Sequence, residues 1–244
     1  MVERLICNEE VTGSNPVRST KARRDNEESG GSLPAEAGEG GNPARVHSII
    51  SMPRKRVFII HGWDGLPEDG WFPWLADKLE ERGFEVNLPL MPHTAKPEIR
   101  AWVSHLKEIV GNPNSDTYFV GHSIGAQTIL RYLEGLPRDA NVGGAVFVAG
   151  WFTLANLDDE EEWKIATPWI ETPIDCTKVL EHTKKFIAIF SDNDRFVPPE
   201  NEAMFQERLG VKTVIEHDRG HFMGLEGVVR LPSALEAVLE MAHE

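Results

Sequence analysis

Short apolar runs alternate with amphipathic segments along most of the chain. From residue 52 onward, six runs of strand length are each bounded by glycine, proline or other turn-forming residues. They lie within residues 56–65, 84–92, 117–121, 143–150, 185–191 and 212–217. Because these runs are apolar without a polar alternate face, they are typical of strands in a parallel sheet that helices cover on both sides.

The segments between the runs carry apolar residues at helical spacing. Phe72, Leu75 and Leu79 share one face of a predicted helix that Gly83 ends. Further helices are predicted over residues 97–111, 124–136, 199–210 and 232–242, and an irregular insert is expected from Trp151 to about Thr177. This alternation predicts an α/β fold, a three-layer α/β/α sandwich around a six-stranded, mainly parallel sheet.

Residues 1–51 have a different composition from the rest. They are rich in Gly, Glu, Ala and Pro and show no periodic apolar face, so a disordered tail is expected, followed by one domain over residues 52–244. The stretch from Glu10 to Thr20 contains Gly-Ser-Asn-Pro, the translation of a transfer-RNA T-arm consensus. Two explanations remain open: a reading frame that starts inside a tRNA gene, with Met52 as the true initiator, or a genuine tail.

Charge and composition exclude several classes of function. A net charge of −14 argues against a nucleic-acid partner, which needs a basic footprint. The apolar runs are too short for a membrane span. Cys7 and Cys176 form no C-x-x-C pair and the histidines show no metal-ligand spacing, so no disulfide, metal or cofactor is expected. A cytoplasmic protein acting on a small molecule is the expectation, and protein partners stay unknown.

Gly121-His122-Ser123-Ile124-Gly125 follows the third apolar run and precedes a predicted helix. A G-x-S-x-G sequence in that position predicts a sharp turn that lifts the serine hydroxyl above the sheet. Serine is a poor nucleophile at neutral pH and needs a base, which in turn needs an orienting group.

An acid and a base follow in the chain at matching positions. Asp194 comes after the fifth apolar run and His221 after the sixth, so both are expected at the sheet edge that carries Ser123. Asp192, at the strand end, and Asp158, in an acidic segment after the fourth run, are the alternative acids. His217 is interpreted as a strand-end histidine, since it lacks the Gly-His context of His221.

The motifs "FIIHGW", "GHSIGA", "VAGWF", "SDNDRFVP" and "GHF" resemble the α/β-hydrolase fold. More narrowly, they are similar to the small serine hydrolases related to retinoblastoma-binding protein nine and YdeN. The resemblance implies a compact hydrolase with little lid, with Ser123 as nucleophile, Asp194 as acid and His221 as base. In this fold the backbone N–H groups of Trp63 and Ile124 are the expected oxyanion hole.

A substrate pocket is predicted from tryptophans that flank the expected site. Trp63 and Trp151 are the best candidates, with His61 shaping the oxyanion turn, while the alternative is that the tryptophans pack the insert onto the domain. The expected function is a serine hydrolase that cleaves small esters, thioesters or activated amides through an acyl-enzyme. The alternative is an interaction protein that keeps the fold with little or no catalytic activity.

Overall fold

The computed structural model describes residues 54–243, and the expectations for residues 1–51 lie outside that range. The strands are β1 (Arg56–Ile60), β2 (Glu85–Asn87), β3 (Thr117–His122), β4 (Gly144–Val148), β5 (Phe186–Ser191) and β6 (Lys212–Glu216). The helices are α1 (Phe72–Glu80), α2 (Ile99–Val110), α3 (Ile124–Glu134), α4 (Glu160–Glu171), α5 (Cys176–His182), α6 (Glu200–Leu209) and α7 (Pro232–His243), with a 3₁₀ turn at Gly224–Glu226.

The six strands form one sheet in the order β2-β1-β3-β4-β5-β6, and every neighbouring pair is parallel. This confirms the predicted α/β fold. The chain first builds outward from β1 to β2 and then crosses to β3 on the other side of β1. Ligands of such sheets bind at the carboxyl edge where the winding direction changes, which here is the gap between β1 and β3.

The strand and the helix that meet at Ser123 are buried along nearly their whole length. All six residues of β3 are buried, and so are ten consecutive residues of α3, from Ile124 to Leu133. The helix α3 packs on β3, α2 and α5, which accounts for a helix that is covered on every side. The strand–turn–helix unit around Ser123 is therefore held within the buried core.

Two sequence-based predictions about elements were wrong in detail. The segment after β4 is not an irregular insert, because it contains α4 and the start of α5. Each of these helices begins at an aspartate, Asp159 or Asp175, whose carboxylate accepts hydrogen bonds from two backbone N–H groups of the first turn. The second strand is only three residues long, since the prolines at positions 89 and 92 remove ladder donors from the rest of the predicted run.

In the part of the chain from residue 54 to residue 243, no helix is long and apolar enough to cross a membrane.

Candidate active site

Ser123 occupies a backbone conformation that ordinary residues avoid. Its φ is 53° and its ψ is −118°, a combination that costs on the order of 1–3 kcal/mol and persists only where the surroundings enforce it. Its N–H donates to the Val148 carbonyl at 2.9 Å, which ties the turn to the end of β4. The strained turn places this serine where β3 ends and α3 begins.

The two glycines of the motif allow the turn to close. A Cβ on Gly121 would lie 2.6 Å from the backbone nitrogen of Ala126, and one on Gly125 would fall on the carbonyl oxygen of Ile60. Such contacts are far inside van der Waals distance, so side chains at these positions would push α3 away from β1 and β3. The sequence interpretation of the motif as a tight strand-to-helix turn agrees with this packing.

The Ser123 hydroxyl accepts a hydrogen bond from an indole. Trp151 Nε1 lies 3.3 Å from Ser123 Oγ, and both residues are buried. Because an indole N–H can only donate, the hydroxyl oxygen is the acceptor in this contact. Among the hydrogen bonds of residues 54–243, none joins Ser123 Oγ to His221.

His221 and Asp194 form a buried acid–base pair. His221 Nδ1 lies 2.8 Å from Asp194 Oδ2, with side-chain exposures of 9% and 2%. The other carboxylate oxygen, Oδ1, accepts from the backbone N–H groups of Phe196 at 2.8 Å and Val197 at 3.1 Å. The carboxylate can only accept hydrogen bonds, so Nδ1 of the neutral imidazole carries the proton and Nε2 keeps a free lone pair.

The backbone of His221 is held at both of its polar groups. Its N–H donates to Glu226 Oε2 at 2.8 Å, and its carbonyl lies 2.8 Å from His122 Nε2. One residue earlier, the N–H of Gly220 donates to Asn193 Oδ1 at 2.7 Å, which joins the loop after β6 to the loop after β5. Sequence reasoning gave no role to these three partners, since no local motif identifies them.

Two buried histidines beside Ser123 are neutral. Burial lowers the pKa of His122 to about 3, with the neighbouring His221 as the second cause. Burial also lowers the pKa of His61. Its Nε2 accepts from the N–H of Met91 at 2.9 Å, and its Nδ1 donates to the Gly62 carbonyl at 2.7 Å. Both ring nitrogens of His61 are therefore engaged in holding the turn after β1, which leaves neither for proton transfer.

The alternative acids have other partners. Asp192 Oδ2 lies 2.5 Å from His217 Nδ1 in an exposed pair. The hydrogen bond with His217 lowers the pKa of Asp192, and the same contact raises the pKa of His217. Asp158 forms an ion pair with Arg195. Of the three carboxylates that the sequence offered, Asp194 is the one in contact with His221.

The turn after β1 approaches Ser123 closely. A Cβ on Gly62 would lie 3.6 Å from Ser123 Cβ, so the next residue, Trp63, is adjacent to the turn that carries Ser123. Asp64 anchors this turn by donating its N–H to the Thr94 carbonyl at 2.9 Å. Within residues 54–243, the backbone N–H groups of Trp63 and Ile124 have no acceptor, so both donors remain available beside the serine.

The tryptophans separate into two groups. Trp71 and Trp169 are fully buried, and their indoles donate to the carbonyls of Phe222 and Pro97, so they pack the domain. Trp63 is partly exposed and donates to the Ala95 carbonyl at 3.1 Å. Trp151 is buried but contacts the candidate nucleophile. The assignment of Trp63, Trp151 and His61 to a substrate pocket stays a prediction.

Among the described residues, no group of three or more His, Cys, Asp or Glu side chains is arranged to hold a metal ion. One buried acid–base pair, His221 with Asp194, lies at the same carboxyl edge of the sheet as Ser123. Such a set can transfer protons to and from an oxygen nucleophile.

Comparison with known proteins identifies relatives over most of the described range. A model of the serine hydrolase family matches residues 57–240. YdeN of Bacillus subtilis (strain 168) is 30% identical over 182 residues, which span 73% of this chain and 91% of YdeN. The serine hydrolase RBBP9 of Rattus norvegicus is 26% identical over 179 residues, 72% of this chain and 91% of that protein.

Solved structures show the same architecture. The crystal structure of the ydeN gene product from B. subtilis has a TM-score of 0.72 at 27% identity and covers 78% of this chain and 100% of that chain. Est1E from Butyrivibrio proteoclasticus has a TM-score of 0.59 at 18% identity, covers 78% of this chain and 89% of that chain, and shows the shared fold.

Proposed function

The chain belongs to the serine hydrolase family, and on that premise we propose that it cleaves small ester, thioester or activated amide substrates through an acyl-enzyme on Ser123. The same matches confirm the family resemblance read from the sequence. The observation that supports the mechanism most directly is the buried pair of His221 and Asp194, 2.8 Å apart, at the sheet edge where Ser123 is held in a strained turn.

In the proposed reaction, Ser123 Oγ attacks the substrate carbonyl while His221 Nε2 takes the hydroxyl proton. The C–O, C–S or C–N bond to the leaving group then breaks, and His221 returns the proton to that group. Water repeats the sequence on the acyl-enzyme and releases a carboxylic acid. As the substrate binds, the Ser123 hydroxyl donates to His221 Nε2 while its oxygen still accepts from the Trp151 indole, since catalytic contacts commonly tighten only in the bound complex.

Asp194 orients the base in this scheme. Its hydrogen bond to Nδ1 keeps the second nitrogen of His221 unprotonated and stabilises the imidazolium that forms during attack. The free N–H groups of Trp63 and Ile124 are the proposed oxyanion hole. Each donor that stabilises the tetrahedral oxyanion contributes roughly a hundredfold or more in rate.

An acidic run follows a segment that is hydrogen-bonded to the loop beside the base. The N–H of Ala155 donates to the Phe196 carbonyl at 2.9 Å, and the Phe196 ring meets the His221 ring edge-on at 5.2 Å. The acidic run from Asp158 to Glu162 begins three residues after Ala155 and is mostly exposed. We propose that its field disfavours anionic esters, an effect that salt weakens.

The substrate proposal is tested with matched esters. Neutral, cationic and carboxylate-bearing p-nitrophenyl esters of equal size are compared by kcat/KM at low and high salt. The expected result is the lowest kcat/KM for the anionic ester, with a difference that narrows as salt is raised. Equal values for the three esters would remove the charge preference and leave the role of Ser123 untouched.

The proposed nucleophile is tested by labelling with a fluorophosphonate probe, read out by mass spectrometry. The wild-type chain is expected to gain one adduct on Ser123, which Ser123→Ala abolishes. His221→Ala is expected to slow labelling by orders of magnitude, whereas His217→Ala, in the exposed pair with Asp192, leaves the rate near that of the wild type. An adduct on another residue, or equal loss in the two histidine variants, would contradict the assignment.

The interaction-protein alternative is tested by the same experiment. A folded wild-type chain that neither labels nor hydrolyses activated esters would favour that alternative. A cytoplasmic location and the domain boundary at residue 52 stay predictions from the sequence.

A further inference from the structure

A second polar centre lies away from the candidate active site, around Arg131 on α3. An open groove of about 390 Å³ is bordered by α2, α3 and the turn after α4. Its wall includes the apolar residues Ile99, Val103 and Pro173 and the charged residues Arg100 and Glu134. The Arg131 side chain also borders the groove, although the residue as a whole is only 6% exposed.

One nitrogen of the Arg131 guanidinium, Nη2, is hydrogen-bonded within the fold. Its Nη2 lies 2.7 Å from the Trp169 carbonyl, 2.8 Å from the Thr172 carbonyl and 3.2 Å from Gln127 Oε1. These contacts fasten the C-terminal end of α4 to α3, a structural role that uses one nitrogen of three. The guanidinium also lies 5.8 Å from the ring centre of Trp169, which adds a cation–π contact.

The other two nitrogens of Arg131 lack acceptors. Nε is buried without a hydrogen-bond partner, and Nη1 makes no hydrogen bond to any residue in the described range 54–243. No carboxylate of that range lies within ion-pair distance of Arg131. Burial lowers the pKa of Arg131, and the nearby Glu134 raises it. Glu134 Oε1 accepts the N–H of Asp175 at 3.0 Å, so that carboxylate is already engaged.

Buried charges in proteins are paired or hydrogen-bonded, because desolvation without compensation is costly. A guanidinium stays charged in a protein, and its N–H groups donate to carboxylate oxygens. Nη1 is the donor open to the groove, since Nη2 is hydrogen-bonded within the fold and Nε is fully enclosed. The apolar wall at Ile99, Val103 and Pro173 suits a short hydrocarbon chain beside that carboxylate. We propose that this groove binds a small monocarboxylate, with Arg131 as the principal ligand and Arg100 at its rim.

This site is independent of the proposed hydrolase chemistry, because binding requires no turnover. Ser104 on α2 borders the groove and is exposed, which offers a way to block the groove without removing the α4 anchor. Ser104→Glu introduces a covalently attached carboxylate into the groove that Arg131 borders, where it is expected to compete with a bound ligand. Ser104→Gln is its matched control, since it has the same size and no charge.

The experiment measures binding of butyrate to the full chain by calorimetry, with butyramide and inorganic phosphate as comparison probes. We expect saturable butyrate binding in the millimolar range, at least about tenfold stronger than that of butyramide or phosphate. Ser104→Glu is expected to weaken butyrate binding at least about tenfold, while Ser104→Gln leaves it within about twofold. Arg131→Met is expected to abolish binding, and its thermal unfolding is recorded to separate that loss from loss of the fold.

Absence of saturable butyrate binding to the wild-type chain would overturn the proposal, because the groove would then hold only water. Equal binding by wild type and Ser104→Glu would place the ligand elsewhere. Stronger binding of phosphate than of butyrate would contradict the carboxylate assignment. None of these results depends on fluorophosphonate labelling of Ser123, so failure of this proposal and failure of the proposed function are distinguishable.

Discussion

Replacement of Asp194 by asparagine exchanges one carboxylate oxygen for an amide nitrogen. It tests whether Asp194 sets the tautomer of His221. The carboxylate accepts three hydrogen bonds, from the N–H groups of Phe196 and Val197 and from His221 Nδ1. In Asp194→Asn, the amide oxygen can keep both backbone donors. The amide NH₂ then faces His221, which must present an unprotonated Nδ1 to it.

That change of tautomer removes the base. With Nδ1 unprotonated, the proton of the neutral ring moves to Nε2, the nitrogen that is proposed to take the proton of Ser123. The variant also loses the negative charge that stabilises the imidazolium. Together these effects are expected to lower kcat/KM by about 10³–10⁴, or roughly 4–5.5 kcal/mol of transition-state stabilisation. Loss of the charge-assisted bonds is expected to destabilise the fold by about 1–3 kcal/mol.

The assay is hydrolysis of p-nitrophenyl acetate under conditions where urea unfolding shows the variants to be folded. Asp192→Asn is the matched control, since Asp192 lies two residues away and makes the same kind of contact with the exposed His217. We expect kcat/KM of this control within about twofold of the wild type, because exposed pairs contribute little. The reasoning is refuted if a folded Asp194→Asn retains activity within about tenfold of the wild type, or if the two variants lose equal activity.

Three further predictions concern stability. Gly125→Ala is expected to lower the free energy of unfolding by about 1–3 kcal/mol, because its Cβ would fall on the Ile60 carbonyl. Gly135→Ala is the control and is expected to change that free energy little, since the nearest neighbour of its Cβ would be 3.5 Å away. Equal urea midpoints for the two variants would contradict this prediction. The pKa of His122 is about 3 in the folded chain, against 6.5 for an unperturbed histidine, so the unfolded state binds the extra proton first. The free energy of unfolding should therefore fall as pH drops from 6.5 toward 3, by up to about 1.4 kcal/mol per pH unit. His122→Gln should make this pH dependence weaker. An unchanged pH dependence in His122→Gln would show that other groups cause it. A chain beginning at Met52 is expected to match the full chain in urea midpoint and ester hydrolysis, since residues 1–51 offer no apolar face, and loss of soluble expression would show that the tail packs on the domain.

The linear pattern was sufficient for the main elements of the fold. The spacing of apolar residues distinguishes a strand from a helix. The alternation of strands and helices then predicts a parallel sheet that helices cover on both faces. The second strand and the segment after β4 were predicted less well. There the prolines and the aspartate caps at Asp159 and Asp175, rather than apolar periodicity, decide where elements end and begin.

Chain order also placed Ser123, Asp194 and His221 at one sheet edge, because the carboxyl ends of parallel strands coincide. Only the tertiary structure shows which neighbouring carboxylate meets which histidine. Asp192 and Asp194 are two residues apart, yet one points to the exposed His217 and the other to the buried His221, and loop geometry decides between them. The pairing depends on contacts such as that between Asn193 and Gly220, 27 residues apart.

The sequence by itself thus determined the architecture, the motif and the order of the candidate residues, all of which follow from local periodicity and connectivity. The tertiary structure decided the hydrogen bond from Trp151 to Ser123, the hydrogen bond from the His221 N–H to Glu226 and the incomplete hydrogen bonding of Arg131. Each of these joins elements whose spacing along the chain bears no regular relation to their distance in space. Hydrogen bonding of buried polar groups is a property of three-dimensional neighbours, and no one-dimensional pattern records it.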